Sequence, residues 1–379
     1  MGGGIGGLCT AIALQKKGFI VKVYESAPKL KPLGAGLGLA ANAVKALTDI
    51  GIGTELMQAG AVLSSFEIMA ESGQLITKTN SLEVSKKFGI DNFTIHRADL
   101  HQILLSYLQP QTLELNKACK DFEQTAEGVR IFFKDGSEEK ADYLIAADGI
   151  HSVVRQKLLP GSTPRYAGYT CWRAVINHVP VNFHKQKATE TWGSKGRFGI
   201  VPLLNNRIYW FACKNASYQD TRFANFNTKD LLNNFRSYHQ PIPQILEMTK
   251  DEQLIWNDII DIKPIKQFAF GKVLLSGDAA HATTPNMGQG ACQAIEDAIV
   301  LANCMSVYAS DIEKAFQVFE KKRISRTTRI VNTSWQVGKM AQVENKWLLS
   351  VRNSLLRLIP PSLNEKQLQF LYNVDFANV

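Results

Sequence analysis

No apolar run in the chain approaches the roughly 20 residues that a bilayer-spanning helix needs, and no signal-peptide pattern opens it. Metal-ligand spacings are missing as well. Cys9, Cys119, Cys171, Cys213, Cys292 and Cys304 include no C-x-x-C pair. No metal site is therefore implied, and reduced, buried thiols in a cytoplasmic protein are expected. There is no H-E-x-x-H, no G-x-S-x-G and no Walker loop, which argues against zincins, α/β-hydrolases and P-loop NTPases. Internal repeats and low-complexity segments are absent too. The charge excess says little: 43 Lys+Arg against 34 Asp+Glu give a formal +9 over 379 residues. It is spread along the chain, as a solvated surface that attracts anionic cofactors rather than as a nucleic-acid footprint. At 45% apolar residues the chain can bury a sizeable core, in two domains or one interleaved body.

What the chain does have is glycine in informative company. In "MGGGIGGLCTAIALQKKGFIVKVYE", Gly2, Gly4 and Gly7 fit G-x-G-x-x-G. Leu8, Ala11, Ile12 and Leu14 follow at helical spacing, Gly18 stops the helix, and "FIVKVY" reads as a buried strand ending at Glu25. Such glycines let the backbone approach a pyrophosphate at a helix N-terminus, and the acid accepts hydrogen bonds from a ribose. The fingerprint should follow a strand, yet only Met1 precedes it. The natural chain or its relatives are expected to begin with about six further apolar residues, a central strand of a parallel sheet.

Two further anchors follow. "KADYLIAADGIHSVVRQKLL" is an apolar strand, an Asp148-Gly149 turn, and a helical turn carrying Ser152 and Arg155. "IHRADLHQILLSYL" starts an amphipathic helix with Arg97 at its entrance, where a cation can meet a phosphate or an acid of its own chain. The densest segment is "GDAAHATTPNMGQGACQAIEDA". Asp278 follows a strand and suits sugar or ribitol hydroxyls. Gly288, Gln289 and Gly290 open a helix whose unpaired N–H groups and partial positive charge suit the N1–C2=O edge of a reduced flavin. Pro285 shapes the approach and is expected to leave a carbonyl uncovered. His281 reads as a hydrogen-bonding residue beside Asp278, not a base. Of the adjacent Glu296 and Asp297, one is expected to face solvent.

In this order, "GGGIGG", "ADGIHSVVR" and "GDAAHATTPNMGQGACQAIEDA" resemble the single-component FAD-dependent monooxygenases, the aromatic-hydroxylase family with a para-hydroxybenzoate-hydroxylase-like fold. "HRADLHQILL", "YAGYTCWRAV", "RFGIVPL" and "IYWFA" are similar to its zeaxanthin-epoxidase-, salicylate-hydroxylase- and urate-hydroxylase-like members. The resemblance implies an α/β chain: a Rossmann-like FAD-binding domain, its first strand apparently missing, interleaved with a β-sheet substrate domain and followed by C-terminal helices. The FAD domain would comprise 1–64, 93–166 and 269–330, the substrate domain 65–92 and 167–268, and the terminal helices 331–379. The basic, amphipathic "NKWLLSVRNSLLRLI" is expected to dock on the core rather than on a membrane surface.

The resemblance also distributes roles. Gly2, Gly4, Gly6 and Gly7 would form the pyrophosphate loop. Glu25, with Ser26 where many relatives carry a basic residue, would hold the adenosine ribose, implying FAD rather than FMN. Arg97 would reach the phosphates, and Cys119 would offer adenine a backbone contact. Asp148 and Gly149 are associated with both FAD and nicotinamide binding. Asp278 would hold the ribitol side; Pro285, Gly288, Gln289, Gly290, Ala291 and Cys292 would face the isoalloxazine. No second dinucleotide fingerprint exists, which suits a family that binds NADH or NADPH transiently. The implied reaction inserts one oxygen atom from O2 into a small aromatic or olefinic substrate through a flavin C4a-hydroperoxide, in a monomer or homodimer. In urate-hydroxylase-like relatives an arginine matching Arg197 and an acid matching Asn286 serve the substrate. An amide is no base, so a neutral or already activated substrate is expected, contacted by Arg197 and packed by Tyr209. Oxidase, reductase or halogenase chemistry on this fold, or flavin binding without catalysis, are the alternatives. The six tryptophans lack the halogenase W-x-W spacing.

Overall fold

The computed structural model describes residues 1–379 apart from 31–34, 89–91, 182, 360–368, 373, 375 and 377–379. Helix α1 (Ile5–Lys16) leads to β1 (Val23–Tyr24), β2 (Gly36–Leu39), α2 (Ala41–Asp49), α3 (Gly53–Ala59) and β3 (Ala61–Val62). The chain then leaves this body through β4 (Ser65–Ala70), β5 (Leu75–Asn80) and α4 (Ser81–Phe88), and returns through β6 (Phe93–His96), α5 (Arg97–Ser106) and β7 (Leu113–Glu114). A meander of β8 (Cys119–Gln124), β9 (Val129–Phe133) and β10 (Glu138–Ala141) precedes β11 (Leu144–Ala146) and α6 (Val153–Leu158). Next come the long strands β12 (Pro164–Ile176), β13 (Lys187–Gly193), β14 (Gly196–Leu203) and β15 (Arg207–Asn215), then α7 (Thr228–Phe235), α8 (Ile242–Glu247) and β16 (Ile255–Ile262). The chain finishes with β17 (Ala269–Phe270), β18 (Val273–Leu275), α9 (Asp278–His281), α10 (Gly290–Val307), α11 (Ile312–Ala341) and α12 (Lys346–Arg357).

Two bodies result. In the first, β1 pairs in parallel with β7 and β11 with β18, and α1, α2, α5, α10 and α11 pack round them on a core that includes Leu8, Ile12, Leu47, Leu274, Ile295 and Phe316. A short strand buried on both faces must be apolar throughout, and "VLL" of β18 is. The second body is a seven-stranded sheet, β16-β12-β15-β14-β13-β4-β5. Its strands alternate as a half-covered sheet requires: Trp172, Phe198, Ile200 and Trp210 point to α7 and α8, where Leu231, Phe235, Ile242 and Ile245 bury them. The opposite face looks toward the first body. The two meet where Gly36 of β2 lies against Tyr209 of β15, so close that a Cβ on Gly36 would stand 2.5 Å from the tyrosine.

The expected strand Phe19–Tyr24 forms only over Val23–Tyr24. Thr112–Glu114 pairs with one edge. On the other edge the backbone contact among the described residues is Gly2 N–H to Tyr24 O, 2.8 Å. Without a partner along its length, Ile20 is left 99% exposed. Helix α12 packs Leu349 and Arg352 inward, while Trp347, Leu355 and Leu358 stay exposed.

Candidate functional site

The first turn of α1 is built by close approach. Met1 and Gly2 bridge the two parallel strand pairs: the Met1 ammonium donates to Ile145 O (2.8 Å) and Ala147 N–H donates to Met1 O (2.8 Å). Gly2 has φ +99°, and a Cβ there would lie 2.2 Å from Ala147 O; one on Gly7 would lie 1.9 Å from Gly2 O. Gly6 faces Ala294 of α10. Gly4 is different: nothing stands within 4 Å of its absent Cβ. The N–H groups of Gly4, Ile5, Gly6 and Gly7 find no acceptor among the described residues, as a helix start awaiting an anion would. Glu25 braces this loop. One carboxylate oxygen accepts from Gly3 N–H (2.7 Å), the other from Ala27 N–H (2.8 Å) and the Ser26 hydroxyl (3.1 Å). His101 reaches Gly3 O through Nε2 at 2.8 Å.

Arg97 opens α5 with its side chain exposed and in no ion pair among the described residues. Its charge, with that of His281, opposes the desolvation that raises the Asp278 carboxyl above its ordinary value. Arg97 and Asp278 are thus close enough to interact, although far apart in sequence. Cys119 starts β8 opposite Phe133, and burial pushes its thiol up to about 11.

Asp148 caps the next turn, accepting from Val153 N–H (3.0 Å) through one oxygen. Its other oxygen is buried and has no partner. Gly149 takes φ +81° and faces open space. Ser152 accepts from Arg155 N–H (3.0 Å), and the buried Arg155 guanidinium donates to Ala279 O (3.1 Å), Ser162 O (3.3 Å) and Ile150 O. Arg155 therefore clamps the Asp148 turn to the loop that starts at Gly277. The sequence shows an arginine in that turn but not the carbonyls that surround it.

In that loop Gly277 takes φ +57° and leaves Asp278 exposed. Behind it Asp297 accepts from Gly277 N–H (2.8 Å) and lies 2.7 Å from His281 Nε2. Burial works to raise the Asp297 carboxyl, but His281, Arg323 and the Gly277 N–H overcome it and hold it well below the usual carboxylate range. His281 is a hydrogen-bonding residue, as expected, with Asp297 as its partner. The expectation that Glu296 or Asp297 faces solvent fails: both are fully buried. Arg323 of α11 reaches both acids at 2.6 Å, Arg326 holds Glu296 at 2.7 Å, and Asn42 donates to Glu296 as well. Those partners make the burial tolerable.

Pro285 begins a tight turn, and its carbonyl accepts from Gly288 N–H at 2.9 Å, so it is not left uncovered. Gly288 is left-handed at φ +62° with nothing near its absent Cβ. The N–H groups of Gly290, Ala291 and Cys292 then find no acceptor among the described residues; Gln293 makes the first bond, to Gln289 O (2.8 Å). The Gln289 side chain turns inward to Asn42 (3.1 Å) and Gln293 (3.0 Å), leaving only its backbone to face a ligand. Cys292 is buried beside Gly38 O (3.7 Å), its thiol pushed up to about 12.

Across from these loops, strand register gathers Tyr169, Cys171 and Arg173 of β12, Tyr209, Phe211 and Cys213 of β15, and Arg197 and Gly199 of β14 on one sheet face. Arg197 and Gly199 share that face and Phe198 and Ile200 the other, as alternation requires. Arg197 is only 3% exposed. It pairs with Glu190 (3.1 Å), donates to Gln342 (3.0 Å) and lies 5.0 Å over the Tyr169 ring. The Tyr169 hydroxyl donates to Asn286 Oδ1 (2.9 Å), while Asn286 Nδ2 donates to Thr284 Oγ1 (2.8 Å) and Ser334 O (2.9 Å). A continuous polar chain, Glu190–Arg197–Tyr169–Asn286, thus ties the sheet to the Pro285 turn. Tyr169 and Glu190 are assigned nothing by the sequence, because only strand pairing brings them to Arg197. Phe211 packs against Gly199, where a Cβ would come 2.0 Å from the ring, and its centroid is 6.0 Å from that of Tyr209.

Two open helix starts, one unpartnered buried carboxylate oxygen and glycine cradles beside them make a site for an elongated anionic ligand with sugar-like hydroxyls, which FAD fits. The fold and site define an FAD-binding flavoprotein. The family model described as "FAD binding domain" matches residues 1–334, and the chain belongs to that family. Aurachin C monooxygenase/isomerase of Stigmatella aurantiaca is 37% identical over 94% of this chain and 93% of its own. The 3-hydroxybenzoate 6-hydroxylase of Polaromonas naphthalenivorans is 33% identical over 100% and 96%. Among solved structures, Klebsiella pneumoniae HpxO complexed with FAD and uric acid superposes with a TM-score of 0.90 at 28% identity, over 98% of this chain and 95% of that one. The chain is an FAD-dependent monooxygenase of this family.

Proposed function

We propose that the protein hydroxylates or epoxidises a small, ring-bearing aromatic or olefinic substrate, with NADH or NADPH as reductant, in the cleft between the α10 N-terminus and the sheet face of Tyr209 and Phe211. The observation that carries this reading is the pairing of three unsatisfied N–H groups at Gly290–Cys292 with an aromatic wall on the facing sheet. When bound, FAD supplies the redox and oxygen chemistry that amino-acid side chains lack. The chain's part is to hold and shield. Gly4 to Gly7 offer N–H donors to the pyrophosphate, with Arg97 nearby. Glu25 and Ser26 face the ribose, Cys119 borders the adenine, Asp148 and Gly149 take the middle of the cofactor, and Asp278 takes ribitol hydroxyls. Gly288 to Cys292, through their backbone, hold the ring edge, where a helix start stabilises developing negative charge.

The geometry refines two roles. All three polar contacts of Asn286 go to protein atoms, so it positions the Pro285 turn rather than moving a proton. Arg197 is committed to Glu190 and Gln342, so it fixes the substrate floor and Tyr169 more than it grips substrate. The aromatic rings of Tyr209 and Phe211 then select a planar substrate. The hydroxybenzoate enzyme, by its name, acts on an aromatic compound, which supports this class. The reading includes a division into an FAD body and a substrate sheet close to 65–92 and 167–268, action in the cytoplasm, and a monomer or homodimer. No helix among the described residues is long and apolar enough to cross a membrane. The test is NADH and NADPH oxidation by the FAD-loaded protein, with and without aromatic and olefinic compounds, under 18O2. Substrate-stimulated oxidation with one labelled oxygen in the product is expected. Reductant consumption that yields only peroxide with every compound would overturn it.

A further inference from the structure

We propose that Cys171 and Cys213 are a redox-modification site, closing into a reversible disulfide on oxidation by hydrogen peroxide. The two residues stand directly opposite each other on β12 and β15, both unbridged and buried. Opposed residues of an antiparallel pair have Cα atoms about 4.5–5.5 Å apart, inside the roughly 4.4–6.8 Å a disulfide spans. They sit in one row across the sheet, Cys171–Cys213–Arg197–Trp192, on the face that the mechanism uses. Their environments divide the labour. Its contact with Cys213, with Arg173 and Arg197 nearby, outweighs burial and lowers the Cys171 thiol from its ordinary value. The same contact and burial raise Cys213 well above its ordinary value. One sulfur is thus the nucleophile and the other retains its proton, as attacking and resolving cysteines do. The remaining four show no such pairing: burial raises Cys9, Cys119, Cys292 and Cys304.

The step balances. The Cys171 thiolate attacks peroxide, an S–O bond forms, the O–O bond breaks and hydroxide leaves as water after protonation, giving a sulfenic acid. Cys213 sulfur then attacks that sulfur; S–S forms, S–O breaks, and the Cys213 proton leaves with the second water. Two thiols lose two electrons and one peroxide gains them. The proposal uses the oxygenase reading only as one source of peroxide, and its test needs no substrate. Added peroxide should remove two of the six thiols titrated in the denatured protein, and peptide mapping should show a Cys171–Cys213 link that dithiothreitol reverses. The rate should rise with pH as the Cys171 thiolate forms, over a range below that of an ordinary thiol. Cys171→Ser should leave Cys213 unmodified, and Cys213→Ser should leave Cys171 as a sulfenic acid that dimedone traps. A wild-type map with no 171–213 link after peroxide excess, or with links between other cysteines instead, would overturn it even if both variants fail to fold.

Discussion

Asp278 and Asp297 carry the same side chain and do opposite work. Asp297 is fully buried and fully bonded, so it holds the loop. Its folded pKa is depressed, so its stabilisation is complete above the ordinary carboxylate value of about 4 and drains away as pH falls toward its lower folded value. Asp297→Ala breaks the buried cluster, leaving Arg323 to Glu296 alone and His281 without its partner, and should cost about 3–5 kcal/mol; chemical denaturation at neutral pH measures it, and the loss should shrink below about pH 4. Asp278 is exposed, and desolvation raises its carboxyl, so its ionised form costs the ligand-free fold rather than supporting it. Asp278→Ala should therefore leave the melting temperature of the apoprotein unlowered while weakening FAD about 2- to 13-fold for each hydrogen bond lost. Unchanged FAD affinity by fluorescence titration would remove Asp278 from the site.

Elements show where sequence reading succeeds and where it stops. The glycine turns are legible because φ is positive at Gly2, Gly149, Gly277 and Gly288 and few other residues tolerate that. Helix starts are legible for a related reason: glycine and proline interrupt the apolar period just before α1 and α10. The fate of Glu296 and Asp297 is not legible, because their partners Arg323 and Arg326 lie a helix away and no local pattern announces a buried ion cluster. Tyr169 and Glu190 are hidden likewise, since a register set by β12–β15 and β13–β14 pairing puts them beside Arg197. The strand expected at Phe19–Tyr24 forms only at Val23–Tyr24, where Leu113–Glu114 pairs with it. Appending about six apolar, β-branched residues before Met1 would give that edge and Leu144–Ala146 a common partner. The extended chain should melt higher and retain FAD better; identical melting and retention would show that the two-residue contact suffices.

At the scale of the molecule, one body supplies backbone N–H groups and the other supplies aromatic surface, and a few contacts register them. The chain Glu190–Arg197–Tyr169–Asn286 is one, with Gln342, just past the end of α11, closing it from the third side. Gly36 against Tyr209 is the other. If these contacts set the distance between flavin edge and substrate wall, damage to them should separate cofactor binding from turnover. Tyr169→Phe removes one hydroxyl bond, worth about 0.5–1.5 kcal/mol, from a residue that reaches the Pro285 turn only through the Asn286 side chain. Arg197→Met removes the charge but keeps the bulk, leaving Glu190 unpaired. Both variants should bind FAD as the parent does. Both should lower substrate-stimulated NAD(P)H oxidation and divert reductant to peroxide, Arg197→Met more, because a misplaced substrate lets reduced flavin react without it. The ratio of product to reductant consumed is the measurement. Parent-like coupling in both variants would place the substrate wall elsewhere on the sheet.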